Sequence, residues 1–172
     1  MNVTLYMTIA LNGVIAKGQA GTAWGSASWQ NYLRAVADHG NVVVGAATYG
    51  VMLANNDFDK FSGQPQVIVV SHHANIDDPR IEVVRSPAEA LDLLRHKNVQ
   101  RVLVGGGPGL ATSFIGEHLL DEIHLDVEPI LLGQGTALIT SELEQRLELI
   151  AVEHFNGGGV TLKYRLPKDA TA

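Results

Sequence analysis

Val102-Leu-Val-Gly-Gly-Gly-Pro-Gly-Leu-Ala-Thr-Ser113 is the most informative stretch of the chain. Val102 to Val104 are three apolar residues in a row and predict a short buried strand. Gly105, Gly106, Gly107 and Gly109 form a turn in which backbone can approach another group closely. Pro108 suits the first turn of a helix, where its missing N–H is not needed. Leu110 with Phe114, and Ala111 with Ile115, then follow at helical spacing. A strand that ends in glycines and opens a helix presents unpaired N–H groups and the positive end of the helix dipole, a site for phosphate or pyrophosphate. The same residues also read as a tight turn between packed elements. They do not form the standard dinucleotide fingerprint: Gly105 and Gly107 fit its first two positions, but the third falls on Leu110.

Outward from this turn, short apolar runs alternate with helical patterns. Asn2 to Ile9 predicts a first strand, followed by the loop Ala10 to Ala16 and a small-residue stretch through Ala23. Ser26 or Ser28 is placed to cap a helix running to about Asp38, ended by His39-Gly40. Val42 to Val44, Val67 to Val70 and Ile81 to Val84 predict three more buried strands, with a helix at Thr48 to Leu53 and a polar loop after it. Ser86-Pro-Ala-Glu89 is a capping box with proline at the first helical position. Ile123 to Glu128 alternates apolar and polar residues, which predicts a strand with one wet face carrying His124, Asp126 and Glu128. Leu147 to Phe155 and Val160 to Leu166 alternate in the same way around the hairpin signal Asn156-Gly-Gly-Gly159. Pro167 to Ala172 reads as a loose tail.

This order predicts a single α/β domain over residues 1–172. Its central sheet is mostly parallel, covered by helices on both faces, with antiparallel strands added at an edge by the last third. Ligands in such sheets bind outside the carboxyl ends of the strands. Gly45, Ser71 and Gly105 fall at such ends, and their convergence favours a binding site over a plain turn.

Composition narrows the function. The formal net charge is -6, which argues against a basic nucleic-acid surface. There is no cysteine, so disulfides, thiolate metal sites and cysteine nucleophiles are excluded, as is the cysteine pattern of a zinc deaminase within these residues. Met1 to Tyr6 lacks the basic start of a signal peptide, and no apolar run approaches the roughly 18–20 residues that span a bilayer. A cytoplasmic protein without membrane contact is expected.

Seven landmarks stand in order: Ala10-Leu-Asn-Gly-Val-Ile-Ala16, Trp24-Gly-Ser26, Val44-Gly-Ala-Ala-Thr-Tyr49, Val67-Ile-Val-Val-Ser71, Val104-Gly-Gly-Gly107, Leu120-Asp-Glu-Ile123 through Pro129-Ile-Leu-Leu-Gly-Gln-Gly135, and Tyr164-Arg-Leu166. With them the chain resembles the dihydrofolate reductase superfamily, most closely the reductase domain of the riboflavin-biosynthesis deaminase–reductase family. The resemblance implies a dihydrofolate-reductase-like fold and hydride transfer from NADPH to a small heterocyclic or sugar-phosphate substrate. It places Thr8, Ile15 and Ala16 at the nicotinamide and Gly45, Ala46 and Thr48 near the cofactor phosphates. Ser71 falls near the adenosine, and Gly105, Gly106, Gly107, Gly109, Leu110 and Thr112 at the pyrophosphate. It also implies a cis bond between Gly105 and Gly106, and a homodimer. For that dimer we expect an edge built from Ile123 to Glu128 and Ile130 to Leu132.

The chain departs from its relatives at several positions. Folate reductases carry a carboxylate on the helix after the first loop, and the matching positions here are Ser28 and Trp29. They place an arginine where this chain has Ala46; His72, His73, Arg80 and Arg85 are the candidates to replace it. The riboflavin branch often has aspartate where this chain has Asn12. Asn12, Trp24, Ser28 and Trp29 are the candidate substrate-side residues. Asn12 equally serves to shape its loop, and either tryptophan equally serves the core. His72-His73 reads as a surface or phosphate contact rather than a metal pair, and no metal is expected. No side chain stands out as a catalytic acid. Dihydrofolate reduction, and nucleotide binding without turnover, are the alternatives.

Overall fold

Valine supplies the centre of the sheet, and its alternation distributes the core to two faces. The computed structural model describes residues 1–17, 24–73 and 76–167. The small-residue stretch at 18–23 and the tail from 168 lie outside the described residues. The strands are β1 (Asn2–Ala10), β2 (Val14–Ala16), β3 (Asn41–Gly45), β4 (Gln66–Val70), β5 (Ile81–Val84), β6 (Arg101–Val104), β7 (Glu122–Glu128), β8 (Thr136–Ala137), β9 (Glu148–Phe155) and β10 (Gly159–Arg165). The helices are α1 (Ser26–His39), α2 (Ala46–Ala54), α3 (Pro87–His96) and α4 (Pro108–Gly116), and Asp57–Lys60 form one 3-10 turn inside the expected polar loop.

Eight strands form one sheet in the order β5-β4-β3-β6-β1-β7-β10-β9, and β2 pairs with β8 in a separate two-stranded ribbon that periodicity did not reveal. From β5 to β7 all neighbours are parallel; β10 runs antiparallel to β7, and β9 antiparallel to β10. The expected class, a parallel α/β sheet extended by antiparallel strands, is the observed one. On one face Val42, Val44 and Leu103 pack with Val36 of α1 and Tyr49 and Met52 of α2. On the other, Val43, Ile68, Val102 and Val104 pack with Leu91 and Leu94 of α3 and Phe114 and Ile115 of α4. Successive strand residues point to opposite faces, so a continuous apolar run is what a sheet covered on both sides requires. Among the described residues no helix is long and apolar enough to cross a membrane.

Two expectations about edges and caps are corrected. β7 is hydrogen-bonded on both sides, to β1 and β10, so Ile123 to Glu128 offers no edge for a dimer. The outer strands are β5 and β9, and on β9 Leu149, Ile150 and Val152 are all exposed and the alternation has no buried side. Neither Ser26 nor Ser28 caps α1: its N-cap is Gly25, without a side-chain hydrogen bond of its own. Ser28 lies inside the first turn and points into the protein, where a residue from β7 meets it. The expected wet face of β7 is also only partly wet, because α1 and Tyr6 cover Asp126 completely.

Candidate functional site

Two strand ends and two helix starts meet at the glycine turns. Gly45 closes β3 and is the N-cap of α2, and Gly107 is the N-cap of α4; neither cap is filled by a side chain. Gly105 N–H donates to Val43 O at 2.8 Å and Gly45 N–H donates to Gly106 O at 3.3 Å, so the two turns are tied together. Gly106 and Gly107 turn the chain with φ of 127° and 78°, values that other residues rarely adopt. A Cβ at Gly106 would stand 3.0 Å from Met7 Sδ, and one at Gly107 would stand 3.1 Å from Thr48 Oγ1. Gly109 meets nothing within 4 Å, which confines the close approach to residues 105–107. The implied cis bond is not present: no described peptide is cis, and these two positive φ values make the turn with trans peptides. Glycine at 106 and 107 lets the backbone lie against Met7 and Thr48, where a Cβ would crowd them, and the two helix N-termini that begin beside these turns suit a dinucleotide's diphosphate.

A polar group sits across β1 from these turns. Ser28 is fully buried, and its hydroxyl lies within hydrogen-bond distance of Gly25 O at 3.0 Å and of Glu128 Oε1, closer still. Gly25 N–H donates to the same Glu128 oxygen at 3.0 Å. Two residues back on β7, fully buried Asp126 accepts from Tyr6 Oη at 2.7 Å, Asn31 Nδ2 at 3.0 Å and Thr161 Oγ1 at 2.5 Å. Burial first, and then the Asp126 charge, hold the Tyr6 hydroxyl well above the ordinary phenol range, so it stays protonated and donates. Burial does the same to Tyr32.

The remaining predicted residues fall around this frame. Thr8 is in register with Asp126 and Ala10 with Glu128. Ile15 is buried in β2, and Ala16 pairs with Thr136 of β8. Asn12 clamps two loops: its Nδ2 donates to Leu132 O at 2.5 Å and its Oδ1 accepts from Leu132 N–H at 3.2 Å. Trp29 packs 5.5 Å from the Tyr32 ring with Lys60 Nζ 5.3 Å over it, and Trp24 is half-buried beside Gly25. Leu110 belongs to the core and Ala46 packs against the α1–α2 face. The Thr112 hydroxyl accepts from Thr140 N–H at 3.4 Å.

At the end of β4, Arg85 Nη1 donates to Ser71 O at 3.1 Å, with the exposed rings of His72 and His73 alongside. Arg80 instead grips Asp78 through Nε and Nη2, which with Tyr49 holds that carboxyl far below its usual range. A cavity of about 370 Å³ lies at the opposite end of the sheet, lined by Met1, Val3, His118 and Asp121, away from the glycine turns.

Sequence reasoning missed Glu128 as a site residue and treated it as the polar face of a strand. The signal was its position as the last residue of a strand parallel to β1, where open sheets bind ligands.

The uncharacterized protein YwjB of Bacillus subtilis (strain 168) is 24% identical over 157 residues, covering 84% of this chain and 87% of that protein. RibD of Acinetobacter baumannii superposes with a TM-score of 0.80 at 19% identity, over 97% of this chain and 58% of that one. A Thermotoga maritima diaminohydroxyphosphoribosylaminopyrimidine deaminase/5-amino-6-(5-phosphoribosylamino)uracil reductase superposes with a TM-score of 0.72 at 17% identity, over 96% of this chain and 56% of that one. This chain thus spans little more than half the length of those two proteins. The description RibD C-terminal domain matches residues 1–162, from the start of β1 to within β10. Both glycine turns and the Glu128 cluster lie within that match, and the chain belongs to the RibD C-terminal domain family.

Proposed function

We propose that this chain is an NADPH-dependent reductase of a small heterocycle, with a phosphoribosylamino-pyrimidine as its substrate class. One observation carries the proposal: α2 and α4 begin side by side at Gly45 and Gly107, joined by the Gly45–Gly106 hydrogen bond, with no side chain filling either cap. The main-chain amides of residues 46–48 and of Gly106, Gly107, Gly109 and Leu110 would hold the diphosphate, and the dipoles of both helices favour its charge. Ser71, Arg85, His72 and His73 would take the adenosine and its 2′-phosphate in place of the arginine replaced by Ala46. When bound, the nicotinamide supplies the hydride. The chain's own residues orient the two partners and exclude water: β1 and the 10–16 loop form the floor, and Asn12 fixes that loop to Leu132.

The test is a calorimetric titration with NADPH. Wild-type protein is expected to bind in the micromolar range. Gly106→Val is expected to weaken binding by at least about tenfold, because the side chain enters the turn at a φ that only glycine adopts readily. No binding at millimolar NADPH would overturn the proposal.

The proposal includes a homodimer formed through the β9 edge, where Leu149 and Val152 are about half exposed. Light scattering is expected to give twice the chain mass, and Val152→Lys to give the monomer.

A further inference from the structure

Six parallel strands direct their carboxyl ends to the side of the sheet where the glycine turns lie. Their last residues are Ala10, Gly45, Val70, Val84, Val104 and Glu128. Glu128 is the only one of these that ionises. β1 lies between β6, which ends at the glycine turn, and β7, which ends at Glu128, so the carboxylate flanks β1 opposite the proposed diphosphate cradle.

Its attachment is unusual for a strand-end glutamate. A helix start is normally capped by its own serine, threonine or aspartate. Here α1 has no such cap, and Glu128 Oε1 takes the Gly25 N–H and the Ser28 hydroxyl instead. A Cβ at Gly25 would stand 2.8 Å from Oε1 and 3.2 Å from Oε2, so a side chain there would push the carboxylate out of its present position. One oxygen is therefore held by the protein. Among the described residues the other, Oε2, accepts no hydrogen bond, and the side chain is only half-buried. A carboxylate fixed at one oxygen and open at the other is a preorganised acceptor for an N–H donor.

We infer that Glu128, held by Ser28 and Gly25, is the substrate-anchoring residue of this chain. Its second oxygen accepts a ring or exocyclic N–H of an amino-pyrimidine or a heterocycle with the same donor edge. The inference rests on the reductase proposal and goes beyond it by naming the group that selects the substrate. It also accounts for the absent helix carboxylate: β7 supplies one to the same turn of α1 that carries Ser28.

Calorimetry on the full chain separates the claims, with NADPH and 5-amino-6-(5-phosphoribosylamino)uracil as probes. Wild-type protein is expected to bind both. Glu128→Gln keeps an oxygen for Gly25 and Ser28 but turns an N–H donor toward the ligand. It is expected to melt like wild type and to bind NADPH within about twofold, yet to lose at least about tenfold in pyrimidine affinity. Glu128→Asp keeps the charge but shortens the reach, and a similar loss is expected. Wild-type pyrimidine affinity in either folded variant would overturn the inference, as would wild-type protein that binds NADPH but not the pyrimidine. Wild-type protein that binds no NADPH would instead overturn the reductase proposal on which the inference stands.

Discussion

Asn41 is 1% exposed and does the work of several ladder positions. Its Nδ2 donates to His39 O at 2.9 Å and to Arg101 O at 2.8 Å, while its Oδ1 accepts from Leu103 N–H at 3.2 Å. β3 and β6 share a single register pair, Val43 with Val104, so this side chain locks the start of the two strands whose far ends carry the glycine turns. Asn41→Ala leaves buried carbonyls and an N–H without partners, and a loss of about 2–4 kcal/mol in urea denaturation is expected. An asparagine before an apolar run reads from sequence as the polar flank of a strand, because its partners on β6, Arg101 and Leu103, lie 60 and 62 residues away. Asp126 and Glu128 were hidden for the same reason. Alternation along β7 placed both on one face, but nothing local in the chain says that α1 and Tyr6 cover that face. Gly106 and Gly107 were legible because their requirement is local: a backbone turn beside a helix start.

The helices show the same division between local and distant causes. In α3 the capping box forms as its spacing predicts, with Ser86 Oγ accepting from Glu89 N–H at 3.2 Å. The glutamate reaches one residue further back, to Arg85 N–H at 2.8 Å. Ser86→Ala is expected to cost about 1 kcal/mol, read as a lower denaturation midpoint with unchanged slope. In α1 the N-cap is Gly25, whose own N–H is taken by Glu128 of β7, roughly 100 residues away in the chain, and no pattern near Ser26 announces that contact. Strand identity was legible wherever both faces are covered, since β3, β4 and β6 are plain valine-rich runs. Pairing was less so. The place of β7 inside the sheet, the exposed edge at β9 and the two-stranded β2–β8 ribbon follow from topology, which a one-dimensional pattern does not contain.

For the whole molecule, stability depends on pH through two histidines, His39 at the end of α1 and His124 on β7. Burial holds both below the ordinary histidine value of 6.5 and outweighs the opposing pull of Ala35 O on one and Glu122 on the other. A lowered folded-state value means that the fold favours the neutral ring. The contribution is complete above about pH 6.5 and is lost as the pH falls below it, because the unfolded chain then binds protons that the folded one resists. The melting temperature is expected to fall between about pH 7.5 and about pH 5, and His124→Gln to flatten that fall. The glycine turns contain no group that titrates in this range, so the cradle itself is expected to be insensitive to it. The proposed chemistry depends on that cradle, and a crystal structure grown in excess NADPH tests it most directly. The cofactor's diphosphate is expected against the main-chain amides of Gly106, Gly107, Gly109 and Leu110 at the start of α4. A cradle left empty, or a cofactor bound elsewhere on the sheet, would contradict it.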